Sequence, residues 1–281
     1  MKILSEYFGQ MPCIGCAGHY VGTGTWCNGG IPQLANKTAH VEAMEQDMKT
    51  AIPDEDFDGY IVHDWEAWEG TWGYASDEYR NASVALARSQ NPGKSEAALE
   101  KIASAAWTKA SVELLALTAK TSKRLRPKAK VGFYGLPVRA TNPPTTPRPS
   151  LPRLPSPRAL ARPVVAHGSR VACAPWPQHK QYWPQPQLNK TQMGWNDLFL
   201  PLWKECTALF PSIYEPYESD CHDAGCQPLK LNTEYVNATV GEAVRISKSL
   251  DAPLPVLPYA WYRYHDGEPK GMQFLTAKDT Q

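Results

Sequence analysis

The pattern of apolar and polar positions predicts buried strands separated by other elements. Residues 59–65 and 131–134 are apolar runs bounded by polar segments, as expected for strands that are covered on both faces. Residues 209–214 and 254–259 have the same character, although each run contains proline, which cannot donate to a strand ladder. We therefore expect four buried strands.

Three helices are predicted, one before the first of these strands and two between them, at residues 36–52, 95–120 and 240–250. The first follows a Gly-Gly-Ile-Pro turn, and the second ends in a basic stretch shortly before Pro127. Apolar residues at helical spacing define the first two helices: Val41, Met44 and Met48, then Leu99, Ile102, Ala106, Ala110, Leu114 and Leu117.

Strands that alternate with helices indicate an α/β fold with a parallel sheet. At 281 residues, the simplest closed form is a single TIM-like (β/α) barrel. Functional residues of such barrels lie at the carboxyl ends of the strands. We therefore expect the strand-end residues Asp64, Glu66, Tyr134, Tyr214 and Tyr259 to surround one mouth of the barrel.

Residues 138–188 do not follow this alternation. The stretch from Pro137 to Pro186 holds half of the 26 prolines and several arginines, but no acidic residue and no apolar period. We interpret residues 1–281 as one domain, in which residues 138–188 form an irregular, Pro-rich insertion.

Composition adds little to this picture except for its aromatic content. The chain has ten Trp and thirteen Tyr, and carbohydrate sites use aromatic faces for stacking. The net charge of +1 gives no strong overall field, and we expect no nucleic-acid partner. One basic cluster could face an acidic polymer, but a solvated helix end is the favoured interpretation: Lys120, Lys123, Arg124, Arg126, Lys128 and Lys130.

Signals for the compartment conflict. No apolar stretch reaches the roughly 18 residues of a membrane span, and the apolar run at residues 1–4 is too short for a secretion signal. Four Asn-x-Ser/Thr sequons nevertheless indicate a secreted or lysosomal glycoprotein. They lie at Asn36, Asn81, Asn189 and Asn237. A leader upstream of Met1 would reconcile the two.

The seven cysteines favour disulfides over a metal site. Cys221 and Cys226 are close enough in sequence for a local disulfide. Cys13 and Cys16 could form half of a zinc site, but no second Cys/His pair with finger-like spacing completes it. We expect neither a metal nor a cofactor.

The segment Asp64-Trp65-Glu66 is the main candidate for chemistry. Side chains alternate along a strand, so Asp64 and Glu66 point to one side and can share a proton or divide a task. Glycosidases need a carboxylic acid to protonate the leaving oxygen. Such a triplet alone is common and is usually solvated, but here apolar residues precede it and Trp65 and Trp68 flank Glu66.

Five sequence blocks together resemble the signature blocks of the hyaluronidases of glycoside hydrolase family 56. The resemblance covers residues 27–137 and 195–279. In chain order, the blocks are Gly29-Gly30-Ile31-Pro32-Gln33, Asp64-Trp65-Glu66-x-Trp68, Gly132-Phe133-Tyr134-Gly135-x-Pro137, Ala208-Leu209-Phe210-Pro211-Ser212-Ile213-Tyr214 and Leu257-Pro258-Tyr259-x-Trp261-Tyr262.

This resemblance implies a distorted barrel, acting as a monomer without metal or cofactor, that hydrolyses the β-1,4 bond of N-acetylhexosamine in hyaluronan and often in chondroitin. It implies that Glu66 is the general acid and later the base. The nucleophile of the family is the acetamido oxygen of the substrate, in a retaining reaction, so Asp64 would orient the acetamide and stabilise the charged intermediate.

The same resemblance assigns the aromatic residues. Tyr134 and Tyr214 match tyrosines that contact the reacting sugar, and Tyr259 and Trp261 match further substrate-binding residues of the cleft. A core aromatic with a capped hydroxyl is the alternative for each tyrosine.

Two departures from the family pattern bear on completeness. The Cys-Tyr-Asn segment that follows the Tyr134 block in the family, with a disulfide to a later cysteine, is replaced by Val138-Arg139-Ala140. The first barrel strand is expected before Met1 and the closing strands after Gln281, so we expect an incomplete barrel.

Two alternatives remain open at this point. The first is a catalytically inactive, glycan-binding or vestigial relative. The second is a chitinase-like enzyme, which lacks support because the Asp-x-x-Asp-x-Asp-x-Glu run of those enzymes is absent.

Overall fold

The computed structural model describes residues 1–5, 8–14, 26–137, 190–215, 228–261 and 263. The predicted insertion at 138–188 lies outside the described residues, as do the sequon at Asn189 and the Cys221 and Cys226 pair.

The described elements, in chain order, are β1 (Lys2–Leu4), β2 (Cys13–Ile14), β3 (Trp26–Cys27), a 3₁₀ turn (Pro32–Leu34), α1 (Lys37–Ala51), β4 (Tyr60–His63), α2 (Asp77–Gln90), α3 (Glu96–Leu125), β5 (Lys130–Phe133), α4 (Lys190–Leu198), α5 (Leu200–Trp203) and α6 (Pro228–Ser249).

A parallel sheet forms the centre of the fold. Its strands lie in the order β1-β4-β5, with Leu4 opposite His63 and His63 opposite Phe133. Isolated parallel bridges extend the sheet from Tyr134 to the segment around Phe210, and from there to residues 256–259. Five parallel segments therefore follow one another, as a (β/α) barrel requires.

The predicted strands at 209–214 and 254–259 are shorter in the structure than the sequence indicated. They pair only through the bridges Leu209–Val256 and Ser212–Tyr259. Proline has no amide hydrogen to donate to a ladder, and Pro211, Pro255 and Pro258 interrupt both runs.

The helix boundaries differ from the prediction mainly at their ends. The long helix α3 runs five residues further, to Leu125, where the amide of Arg126 still donates to the carbonyl of Ser122. Helix α6 begins at Pro228, well before the predicted residue 240. Helix α2 was not predicted, because its buried face consists of tyrosine and small residues: Tyr79, Ala82, Ser83 and Ala87.

Side-chain alternation along β4 separates two parts of the interior. Ile61 packs in the large core with Val131, Met48 and the helices, while Val62 packs in a smaller cluster with Phe210. Odd-numbered residues of β4 therefore face the helix layer, and even-numbered residues face the inside of the barrel.

Gly132 is required where β5 meets the next segment of the barrel. A Cβ atom at this position would collide with the carbonyl oxygen of Ala208 and the ring of Phe210. Glycine therefore permits the close approach of β5 to the segment that carries Tyr214.

The basic cluster at the end of α3 is largely paired. Salt bridges join Lys123 to Glu205, Arg124 to Glu45 and Lys128 to Asp56. The Arg126 guanidinium is buried and donates to the carbonyls of Met48 and Ile52 at the end of α1. The cluster thus joins elements of the fold, as a helix end with structural contacts does.

Candidate active site

The Asp64-Trp65-Glu66 segment directly follows the carboxyl end of β4. The Asp64 amide donates to the carbonyl of Leu4 (2.8 Å), so β1 fixes the backbone where the strand ends. Asp64 is half-buried and Glu66 is exposed. Because side chains alternate, both carboxylates follow Val62 toward the barrel interior, while Trp65 follows His63 toward the helices.

Tryptophans hold this segment from its other side. The Trp65 ring packs edge-on against Trp68, with the ring centres 5.3 Å apart, and Trp68 packs in the same way against buried Trp107. The Trp68 indole also donates to the carbonyl of Pro12 (2.7 Å). The residue between the two carboxylates is therefore part of the core, which restricts how the carboxylates can move.

The four aromatic residues assigned from the family form one continuous group. Tyr134 lies between Tyr214 and Tyr259, with ring centres 5.9 and 5.3 Å away, and Tyr214 contacts Trp261 at 5.7 Å. Tyr134 follows β5, Tyr214 follows the segment around Phe210, and Tyr259 and Trp261 belong to the next segment of the sheet. The parallel sheet therefore brings residues that are distant in sequence to one end.

The charges of Asp64 and Glu66 raise the pKa values of the neighbouring tyrosine hydroxyls. Burial raises the pKa of the Tyr134 hydroxyl, and the charge of Glu66 raises it further. Burial also raises the pKa of Tyr214 and Tyr259, with Asp64 acting on both and Glu66 on Tyr214. The hydroxyls remain protonated at physiological pH, so they can donate hydrogen bonds to a bound sugar.

Ser212 is a member of this site that the sequence did not reveal. Its hydroxyl lies 3.4 Å from the Tyr134 hydroxyl, which is also hydrogen-bonded to Tyr214. Behind it, the buried Tyr235 hydroxyl of α6 donates to the Ser212 carbonyl (2.9 Å). No local pattern marks Ser212 or Tyr235, because both depend on contacts between distant segments.

Two buried histidines, His63 on β4 and His40 on α1, pack against α3. His63 Nε2 is hydrogen-bonded to Ser122 Oγ on α3 (2.9 Å), and His40 Nε2 is hydrogen-bonded to Thr118 Oγ1 one turn earlier (2.9 Å). Burial lowers the pKa of His63 to about 3, with a contribution from His40, and lowers the pKa of His40 to about 4. Both imidazoles are therefore neutral in the folded protein.

The described residues contain no group of three His, Cys, Asp or Glu side chains that could hold a metal ion. Cys13 is disulfide-bonded, which removes it from the half zinc site considered above, while Cys27 and Cys206 are free thiols. No helix in the described ranges has the length and apolar character needed to cross a membrane.

Two carboxylates beside a group of aromatic residues, at the carboxyl ends of parallel barrel strands, are an arrangement that glycoside hydrolases use. The family model described as "Hyaluronidase" in glycoside hydrolase family 56 matches residues 8–143 and 176–280. The chain belongs to this hyaluronidase family.

The chain is similar to curated hyaluronidases, with identities of 26–31% over the aligned residues. Human Hyaluronidase-1 is 31% identical over 260 residues, which cover 89% of this chain and 49% of that protein. The hyaluronidase of Polistes annularis is 26% identical over 85% of this chain and 54% of its own length. The chain thus spans about half the length of the curated relatives it matches.

Solved structures confirm the predicted fold class. Bee venom hyaluronidase aligns with a TM-score of 0.70 at 24% identity, over 99% of this chain and 72% of its own. The structure of the same enzyme in complex with a hyaluronic acid tetramer gives a TM-score of 0.71 at 24% identity, over 97% and 71% of the two chains. At this identity, the likeness establishes the distorted α/β barrel.

Proposed function

We propose that the chain carries the catalytic site of an endo-β-N-acetylhexosaminidase that hydrolyses hyaluronan, with chondroitin as a second substrate. The observation that carries this proposal is the position of Asp64 and Glu66 at the end of β4, within electrostatic reach of Tyr134 and Tyr214. Family membership and the bee venom enzyme's complex with a hyaluronic acid tetramer support the choice of polymer.

In the proposed reaction, Glu66 donates a proton to the glycosidic oxygen as the bond from C1 breaks. The acetamido oxygen of the same sugar attacks C1 and forms an oxazolinium ion, so the displaced group leaves as an alcohol. Glu66 then takes a proton from water, which attacks C1 and reopens the ring with retained configuration. The Asp64 carboxylate accepts a hydrogen bond from the acetamide N–H and stabilises the positive charge of the oxazolinium ion.

The aromatic group binds the reacting sugar in this proposal. The protonated hydroxyls of Tyr134 and Tyr214 donate hydrogen bonds to it, and Tyr259 and Trp261 offer ring faces to the polymer. The preformed contacts among these rings reduce the ordering needed on binding.

We propose the same organisation that the sequence indicated: one catalytic domain, monomeric, with residues 138–188 as an insertion. The family match passes over residues 144–175, which supports an insertion within this range, and it includes residues 138–143 and 176–188. We also propose a secreted or lysosomal glycoprotein. In support, Cys13 is disulfide-bonded and the sequon residues Asn36 and Asn237 are exposed.

The proposal is tested by measuring the release of reducing ends from hyaluronan, chondroitin and chitin oligosaccharides. Glu66→Gln should lower kcat on hyaluronan by about 10²- to 10⁴-fold, which is the usual contribution of a general acid. Glu100→Gln is the matched control, because Glu100 is an exposed carboxylate on α3. Proton NMR of the first product should show the β-anomer.

Three results would contradict the proposal. Hydrolysis that survives Glu66→Gln would remove Glu66 as the acid, and an α-anomer would remove the retaining mechanism. Binding of hyaluronan without cleavage by the wild-type chain would favour the inactive, glycan-binding alternative.

A further inference from the structure

The segment that carries Tyr214 is held only in part by the sheet. The amide of Tyr259 donates to the carbonyl of Pro211 (2.8 Å), and the amide of Ile213 donates to the carbonyl of Tyr259 (2.9 Å). These bonds pair the segment at Pro211 and Ile213, before it reaches Tyr214. Pro211 itself has no amide hydrogen, so the ladder at this point is weaker than at β4 and β5.

Helix α6 supplies two further contacts, one on each side of Tyr214. The Tyr235 hydroxyl donates to the Ser212 carbonyl (2.9 Å), and the Asn232 side-chain amide donates to the Glu215 carboxylate (2.9 Å). Residues three apart share a helix face, so Asn232 and Tyr235 present their polar groups to the same segment. Both are almost fully buried, with 2% and 1% exposure.

The contact at Ser212 continues into the site. The Ser212 hydroxyl lies 3.4 Å from the Tyr134 hydroxyl, which is hydrogen-bonded in turn to Tyr214. A displacement of the Ser212 backbone would therefore change the direction in which both tyrosine hydroxyls point. The route from α6 to these hydroxyls consists of hydrogen bonds between buried or half-buried groups.

We propose that Tyr235, assisted by Asn232, is a positioning residue for hydrolysis. From α6, Tyr235 holds the backbone before Tyr214 and Asn232 holds the Glu215 side chain after it, and together they aim Tyr214 and Tyr134 at the reacting sugar. The inference rests on the proposed function for its kinetic part. Glu215 takes part as the acceptor of the Asn232 amide and does no proton chemistry.

Tyr235→Phe tests this inference in the full 281-residue chain. Loss of the hydroxyl should lower kcat on hyaluronan by about tenfold, because small misplacements of groups that contact the transition state are costly, and should change KM less than about twofold. The matched control is Tyr79→Phe, since Tyr79 is also buried and its hydroxyl accepts a backbone amide, that of Ile14. The control should keep the wild-type kcat.

Two variants of Glu215 separate positioning from catalysis. Glu215→Gln keeps an oxygen that accepts the Asn232 amide and should retain kcat within about threefold, whereas Glu215→Ala should lower kcat as Tyr235→Phe does. Activity lost in both would make the carboxylate catalytic and overturn the assignment.

A structural measurement makes the test independent of activity. The ¹³Cζ resonances of Tyr134 and Tyr214 report on their hydroxyl hydrogen bonds, and they should shift in Tyr235→Phe but not in Tyr79→Phe. If the wild-type chain releases no reducing ends, the proposed function fails while these resonances still test the positioning. Unchanged resonances in Tyr235→Phe, or an equal fall of kcat in Tyr235→Phe and Tyr79→Phe, would overturn the inference.

Discussion

The buried imidazoles of His40 and His63 should make the free energy of unfolding decrease in mild acid. Both imidazoles have an ordinary pKa of 6.5, which burial lowers to about 3 for His63 and about 4 for His40; the charge of Asp47 opposes the shift of His40. The unfolded chain therefore binds more protons than the folded chain below pH 6.5. Stability is fully present above this pH and falls as the pH decreases toward the folded values.

The size of this decrease in the free energy of unfolding depends on the pH at which it is measured. At pH 5.0 each histidine is 1.5 pH units below its ordinary pKa but still neutral when folded, which costs about 2 kcal/mol at roughly 1.36 kcal/mol per unit. The pair should therefore lower the free energy of unfolding by about 4 kcal/mol between pH 7.5 and 5.0.

The perturbation is the double substitution His63→Leu with Ser122→Ala. Replacing both partners of the 2.9 Å hydrogen bond by apolar groups leaves no buried polar atom of the pair unsatisfied. The variant should lose only about 2 kcal/mol between the same pH values, because His40 still titrates.

Urea unfolding followed by circular dichroism, at constant ionic strength and with disulfides intact, measures both proteins at pH 7.5, 6.5 and 5.0. Surface carboxylates contribute equally to the two proteins, so the difference between their pH slopes isolates His63. An identical slope in the double variant would show that His63 is not a neutral, buried imidazole, and the reasoning would be refuted.

Three further results are expected. Gly132→Ala should lower the free energy of unfolding by about 1–3 kcal/mol, measured by urea unfolding, because its Cβ would overlap the carbonyl of Ala208. Arg126→Leu should lower the free energy of unfolding by about 2–4 kcal/mol, because its buried guanidinium donates to the carbonyl of Ile52 at the end of α1. Arg124→Leu breaks an exposed ion pair and should lower it by less than about 1 kcal/mol. Equal losses in the two variants would contradict this reasoning. Asp64→Asn should lower kcat on hyaluronan at least about a hundredfold with little change in melting temperature, and a wild-type rate would exclude its role in orienting the acetamide.

The sequence predicted those elements whose pattern is complete within a short window. The strands at 60–63 and 130–133 are continuous apolar runs, and their bounds were nearly right. Strand β1 was missed because three residues carry little pattern, and its partner β4 lies about sixty residues away. Helix α2 was missed because tyrosine and alanine, rather than leucine, form its buried face.

The residues of the candidate site also divide into those that the sequence predicted and those that it missed. Asp64, Glu66 and the three tyrosines were predicted because each lies at a strand end within a family block, and Trp261 was predicted from its family block alone. The supports of the site were not: Ser212 and Tyr235 are joined by a hydrogen bond between elements 23 residues apart. Such pairs follow from tertiary packing, which no local period encodes.

Helix α3 has a consequence for how the chain folds. It contacts α1, α2 and α5 and lies in sequence between β4 and β5, whose pairing joins Tyr60 to Lys130. Closing so long a loop carries an entropic cost that local contacts between α2 and α3 do not have. During refolding, we expect helical signal to return first and hydrolysis last, since Asp64, Tyr134 and Tyr214 meet only when the sheet is in register.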